Sequence, residues 1–357
     1  MNPSAPIHRS RRRVRLGLLS FVLAAVAIFA NPSISWGHAF LTTPISLTVR
    51  NQVVTGTATV DALQLTVSEQ NQEGIDLTKV QKLISIRVND VVLPIKVAWT
   101  SETFDKADPK NQTIVFVTEA FEGELHRIDV RWNFSSPSKQ VLLQTDKTSM
   151  IAYLNEKDLV SFNISFWDSA GSYFYQGVGH IVFGLDHLLF LIVLGLGLFK
   201  RALNRKSAVR AIGLVGAFTL GHALSFTLSY FGLMSFSTTL VEPVIALSIF
   251  AAAVGALTKW QWEKYWGIAT LIGLVHGLGF ASSLAQMGLA TSQHAVAIVT
   301  FNLGIDLAQT CVVALTAMSL WVARNHLGHS HELLRRLVLV AIAGVALFWT
   351  ITRMITG

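Results

Sequence analysis

Residues 179 to 187 read Gly179-His180-Ile181-Val182-Phe183-Gly184-Leu185-Asp186-His187, placing two histidines and a carboxylate inside an otherwise apolar run from about Tyr175 to Phe199. A run of that length crosses roughly 30 Å of hydrocarbon as a helix. On one continuous helix, histidines seven residues apart fall about 20° short of two full turns, so His180 and His187 share a face. Asp186 lies about 100° to one side of His187. A carboxylate at membrane depth costs about 2.5–3.5 kcal/mol unless it is paired, which argues against idle packing. Two neutral ring nitrogens and one carboxylate oxygen suit a borderline divalent cation: nickel, cobalt, zinc or copper. The plainer alternative is a pair of packed histidines bonded to neighbouring helices.

Five more apolar stretches follow, at about Ala208–Phe231, Leu240–Leu257, Trp266–Gln286, Ala295–Val322 and Leu334–Ile355. Six crossings are therefore predicted, and the expected fold is a membrane all-α bundle over residues 168–357. The whole-chain composition, 52% hydrophobic and 14% charged, agrees with a protein that buries much of its surface in lipid. Basic residues follow the first span (Lys200, Arg201, Arg205, Lys206, Arg210), the third (Lys259, Lys264) and the fifth (Arg324, Arg335, Arg336). The loops Gly232–Thr239 and Met287–His294 have neither Lys nor Arg, so alternate loops are expected to be cytoplasmic. Trp260, Trp262, Tyr265 and Trp266 read as an interfacial aromatic belt on that side.

Upstream of the bundle, residues 40–167 carry short alternating runs such as Ala62–Val67, Leu83–Val88 and Thr113–Val117 between polar, turn-rich pieces. They predict a soluble all-β, sandwich-like domain on the exported, periplasmic side of a bacterial inner membrane. Residues 1–39 read as a signal peptide: Arg9, Arg11, Arg12, Arg13 and Arg15 precede an apolar run from Leu16 to Ala30, with cleavage expected after Gly37 or Ala39. An uncleaved anchor is the alternative, because that run approaches anchor length. Cys311 is the single cysteine, so an intrachain disulfide and a cysteine-based zinc site are excluded. The net charge of +7 partly reflects signal arginines and basic loop residues, and nucleic-acid binding is not expected.

Further polar groups punctuate the later spans: His222, Glu242, His276, and Asn302, Asp306 and Gln309 on one helical face. With His180, Asp186 and His187 they are expected to converge on an interior cavity rather than meet lipid. Arg210, Arg335, Arg336 and Arg353 read as helix-end residues that snorkel, leaving the buried acids without a basic partner and in need of a cation. Protonated histidine paired with carboxylate is the alternative source of that charge. Glycines beside these groups, including Gly184, Gly221 and Gly277, fit close helix approach or local breaks. His222-Ala-Leu-Ser-Phe226 and His276-Gly-Leu-Gly-Phe280, each followed one helix later by an acid, suggest a parallel repeat. His326, His329 and His331 read either as a metal-collecting mouth or as a solvated loop. His38, if cleavage leaves it first, is a further candidate chelator.

Taken together, Gly-His180-Ile-x-x-Gly-x-Asp186-His187-Leu-Leu-Phe-Leu, Phe-Thr-x-Gly-His222-Ala-Leu-Ser, Val-Glu242-x-x-Ile-Ala-Leu-Ser, His276-Gly-Leu-Gly-Phe-Ala and Phe-Asn302-x-Gly-x-Asp306-x-x-Gln309 resemble the HupE/UreJ family over about Gln176 to Gly357. The resemblance implies a secondary nickel permease, not an enzyme, with His180, Asp186 and His187 matching the family motif and His222, Glu242, His276 and Asp306 its later polar positions. It departs from short family members by its residue 40–167 domain and by aspartate at position 306, where glutamate is expected. A divalent metal is then cargo or ligand, nickel first and cobalt, copper or zinc as alternatives, and no organic cofactor is implied. Other partners are the lipid bilayer and an exported-side protein docking on the β domain. Two rival classes remain: an intramembrane metal-dependent hydrolase, and a metal-sensing or assembly protein.

Overall fold

The computed structural model describes residues 45–60, 83–99, 112–133, 140–146, 149–200, 204–234, 236–258, 266–285, 294–328 and 330–356. The predicted signal segment, the Ala62–Val67 run, Trp260, Trp262, Tyr265 and His329 lie outside them. The chain divides into two compact units, one carrying the described strands and the other the histidine-bearing helices from Gly177 onward.

Ten described strands form two sheets, a six-stranded one ordered β5-β6-β2-β1-β8-β9 and a four-stranded one ordered β10-β7-β3-β4. Their ranges are β1 Ile45–Arg50, β2 Val53–Val60, β3 Ile84–Val88, β4 Val91–Leu93, β5 Ile95–Trp99, β6 Gln112–Thr118, β7 Arg127–Trp132, β8 Gln140–Thr145, β9 Ser149–Tyr153 and β10 Leu159–Asn163. Alternation decides which face is inside: Ile45, Leu47 and Val49 of β1, and Ile84, Ile86 and Val88 of β3, are buried while their neighbours are not. Inward residues of both sheets share one hydrophobic core, so the domain is a sandwich. Phe116 of one sheet meets Trp132 of the other with ring centroids 6.2 Å apart. Gly56 pairs with Phe116 across β2 and β6, and a Cβ there would sit 1.9 Å from the ring, so only glycine admits that phenyl group.

Two tight hairpins fix register. Asn51 and Gln52 between β1 and β2, and Asn89 and Asp90 between β3 and β4, all have positive φ, as a two-residue turn matching strand twist requires. The Asn89 side chain also accepts from the backbone N–H groups of His126 and Arg127 at 3.0 and 3.1 Å. β1 and β8 pair in parallel, and all other described strand pairs are antiparallel.

The described helices are α1 Phe166–Phe183, α2 Leu185–Leu198, α3 Arg205–Tyr230, α4 Thr238–Leu257, α5 Trp266–Ala285, α6 His294–Leu327 and α7 Ser330–Thr356. Among the described residues, α3, α4, α6 and α7 are each long and apolar enough to span a membrane, and the α1–α2 pair, bent by 71°, adds a broken span. The fourth predicted crossing, Trp266–Gln286, falls on α5, whose described apolar stretch, Trp266–Gly279, is shorter. The predicted first span is thus two helices rather than one. Asn204 caps α3 by accepting from the Ser207 N–H at 2.9 Å.

Arg335 does not snorkel as expected. It is 2% exposed, bonds Glu332 in bidentate fashion at 2.8 and 2.9 Å, and points one nitrogen at the carbonyls of Leu196 and Ala256, each at 3.4 Å. Those carbonyls belong to the last turns of α2 and α4, where a cation satisfies open acceptors and complements the helix dipole. One guanidinium of α7 thereby ties together the ends of two other helices. Arg324 of α6 similarly donates to the carbonyl of Phe199, which follows α2.

Candidate metal centre

Gly184 separates α1 from α2. With φ −76° and ψ 94° it leaves the helical region, so His180 lies in the last turn of one helix and Asp186 and His187 in the first turn of the next. The expectation of a shared face on one continuous helix is corrected here: the two imidazoles meet across a bend, with ring centroids 4.5 Å apart. A Cβ on Gly184 would lie 2.4 Å from the His180 carbonyl oxygen and 2.9 Å from His187 Nδ1. The missing side chain is what allows the two histidine-bearing turns to close on each other.

A second close approach brings in the other two histidines. A Cβ on Gly221 of α3 would stand 2.0 Å from the Thr270 carbonyl oxygen, and one on Gly277 of α5 would stand 2.4 Å from that of His222. The α3 and α5 backbones therefore touch beside His222 and His276, as small residues permit in membrane bundles. His222 lies 5.5 Å from His180 and 5.9 Å from His187 between ring centroids, and His276 lies 5.1 Å from His187. One nitrogen each from His180, His187 and His222 falls within a set whose members are all within 4.8 Å of one another.

The surroundings are apolar and aromatic. Phe218 and Phe226 stack on opposite sides of the His222 ring along α3, at 6.2 and 6.3 Å, while Phe190 stacks on Phe218 at 5.2 Å. His187, His222 and His276 are 7%, 0% and 1% exposed. His187 Nε2, both ring nitrogens of His222, and His276 Nδ1 are buried and have no hydrogen-bond partner among the described residues. Each such group costs about 1–3 kcal/mol when left unsatisfied, and each of these rings, when neutral, has one lone pair to offer.

Ser248 settles the tautomer of His276. Its hydroxyl is 2.7 Å from the Ile245 carbonyl, which accepts its only proton, and 3.1 Å from His276 Nε2. The serine oxygen must then accept from Nε2–H, which leaves the lone pair on Nδ1.

The acids are disposed differently. Arg353 of α7 grips both oxygens of Asp186, at 3.2 and 3.1 Å. The same guanidinium donates to the Glu242 backbone carbonyl at 3.3 Å and stands 4.0 Å from its carboxylate. It also lies 5.3 Å over the Trp349 ring. The reading of Arg353 as a snorkelling helix-end residue, and of Asp186 and Glu242 as lacking a basic partner, is overturned: α7 carries Arg353 against α2 and α4. Asp306 of α6 accepts from the Thr219 hydroxyl of α3 at 2.7 Å, with Gln309 Oε1 3.2 Å from the same hydroxyl. The residues of the suggested repeat therefore part company, since His222 and His276 both approach His187 whereas Glu242 and Asp306 face different helices' side chains. Asn302 is half-buried, one turn before Asp306 on the same helix.

His326 ends α6 exposed, and His331 begins α7 with Nδ1 2.5 Å from the Gly328 carbonyl across a tight turn. Arg353, Thr219 and Ser248 were not among the predicted site residues. Thr219 and Ser248 stand inside the quoted motifs, Thr219 one turn before His222, and that spacing is the signal that finds it. Arg353 has no such local signal.

A family model described as HupE / UreJ protein matches residues 156–353, more than half of the chain. The comparisons with curated proteins and with solved structures return no match. The match spans every helix that contributes to the histidine cluster, and on that ground the chain belongs to the HupE/UreJ family of transporter-like membrane proteins.

Proposed function

We propose that the chain is a permease for a divalent transition-metal ion, nickel first, with cobalt, copper and zinc as competitors. The observation that carries this reading is the convergence of His180, His187 and His222 from three helices, with buried ring nitrogens of His187 and His222 left without partners among the described residues. Imidazole ligands suit all four metals; family membership favours nickel and cobalt.

Nitrogens bonded at about 2.0–2.1 Å to a tetrahedral ion lie about 3.3 Å apart. The three nitrogens, all within 4.8 Å of one another, would draw together to that spacing on binding. A site that closes around its guest and relaxes behind it suits passage better than a rigid cage, because conduction needs binding weak enough to be reversed. His276 Nδ1, beside His187, supplies the next lone pair, and Asp186, Glu242 and Asp306 the carboxylates from which the ion exchanges onward. Asn302 and Gln309 are supporting polar groups. Imidazole ligates only when neutral, so an inward proton gradient is a natural counter-force or coupling ion. In this reading the β sandwich stands on the periplasmic side of an inner membrane and captures the ion or docks a protein that delivers it.

Time-resolved uptake of nickel, cobalt, zinc, copper and manganese into vesicles containing the purified protein, with and without a pH gradient, tests the proposal. Nickel accumulation that His187→Ala or Asp186→Ala abolishes, with insertion intact, is the expected result. Unchanged accumulation refutes transport through this cluster, and a tightly held zinc with hydrolysis of a lipid or peptide bond places the protein with enzymes instead.

A further inference from the structure

Arg353 engages the two Asp186 oxygens that a metal ion would need. Both carboxylate oxygens are engaged, at 3.2 and 3.1 Å, and the fork geometry of guanidinium and carboxylate makes this one of the stronger polar contacts available to the bundle. Asp186 is also the neighbour of His187, the imidazole in ring contact with His180, His222 and His276. The guanidinium thus sits at the acidic edge of the histidine cluster.

A second acceptor waits within reach. Arg353 Nε is 4.0 Å from Glu242 Oε2, a distance that a shift of about 1 Å turns into a charge-assisted hydrogen bond. Trp349, one turn earlier on α7, offers its face at 5.3 Å and supports the cation without holding it to one carboxylate. Two acids and one guanidinium carry one excess negative charge when all are ionised, and a divalent ion leaves one excess positive charge, which Arg353, 22% exposed, accommodates by moving toward Glu242.

We propose that Arg353 is a resident counter-cation that occupies Asp186 between transport events and is displaced onto Glu242 when a divalent ion reaches His187. Asp186 then alternates between guanidinium and metal. The device favours divalent over monovalent cargo, because only an ion of higher charge density displaces a bidentate guanidinium from its carboxylate. It also keeps the metal site shallow, since part of the binding free energy is spent on moving Arg353. This inference rests on the metal-permease reading.

The test is equilibrium dialysis of nickel(II) against the purified full-length protein, with uptake into vesicles measured in parallel. Arg353→Gln frees the carboxylate and should bind nickel about tenfold more tightly or better, while slowing uptake because the ion is retained. In an Asp186→Asn background the same change should gain nothing. Arg353→Lys, which keeps the charge but loses the fork, should show a smaller gain and serves as the deciding variant if Arg353→Gln does not yield folded protein. Equal or weaker nickel binding by these variants, with His187→Ala still abolishing it, overturns the counter-cation proposal alone. Wild-type binding by His187→Ala overturns the underlying site.

Discussion

Gly184→Ala is the perturbation that most sharply separates local helix preference from the geometry of the site. Alanine is favoured over glycine in a helix by about 1 kcal/mol, so propensity alone predicts that the substitution joins α1 to α2 and stabilises the bundle. The structure predicts the opposite consequence for binding. The new Cβ would stand 2.4 Å from the His180 carbonyl oxygen and 2.9 Å from His187 Nδ1. Backbone atoms cannot yield as a side-chain tip does, so reaching an ordinary contact of about 3.4 Å separates the two turns by roughly 1 Å. Metal–ligand distances tolerate about 0.2 Å. His180 and His187 then cannot close on one ion together, and nickel affinity should fall about 10–100-fold, the range seen when groups that orient metal ligands are lost. Equilibrium dialysis with nickel, alongside thermal unfolding in detergent, reads both quantities on one preparation. A Gly184→Ala protein that binds nickel as tightly as the parent refutes the claim that this glycine sets the site.

Two other substitutions probe the helical unit and a third probes the β domain. Thr219→Val keeps the shape but removes the hydroxyl that donates to Asp306 at 2.7 Å, and should cost about 1–3 kcal/mol in thermal or denaturant unfolding. Arg335→Ala strips the guanidinium from Glu332 and from the Leu196 and Ala256 carbonyls; unfolding should show a loss of about 1.5–3 kcal/mol, with nickel stoichiometry retained. In the β domain, burial opposes ionisation of Asp129, yet the Ser161 hydroxyl and the Arg127 guanidinium outweigh it and hold the carboxyl below its ordinary 3.8. Its stabilising contribution is therefore complete above the unfolded value near 3.8 and is lost as pH falls through the lower folded value. Asp129→Asn should flatten that part of the acid-unfolding profile, followed by limited proteolysis of the full chain, and an unchanged profile contradicts the assignment.

The apolar spans were legible because lipid offers no partners to the backbone, so each crossing must be a long, uninterrupted run of apolar residues. Leu240–Leu257 and Leu334–Ile355, read from the sequence, fall inside α4 and α7. The strands at Ile84–Val88 and Gln112–Thr118 were readable for a similar reason, since one buried face imposes alternation. β8 lacks that signal because four successive residues are buried, and its parallel pairing with β1 joins segments far apart in the chain.

The sequence allowed a local break at any of several glycines, Gly184 among them, without saying which of them takes it. Apolar residues continue on both sides of Gly184, through Leu185 and again from Leu188 to Phe199, and a single glycine is too weak a signal to announce a 71° bend. The candidate histidines were identifiable as buried polar groups, but which of them meet depends on glycine contacts between α3 and α5 that no single-helix projection contains. Arg353 shows the same limit from the other side. Its place near the end of the chain suggested an interfacial residue, whereas the packing of α7 against α4 turns it toward Asp186 and Glu242.

X-ray absorption at the nickel edge of the metal-loaded, full-length protein counts the ligands directly. We expect a spectrum with three imidazole nitrogens at about 2.0–2.1 Å, reduced to two by His222→Ala. A spectrum dominated by oxygen, or one that His222→Ala leaves unchanged, contradicts the histidine cluster as the seat of binding.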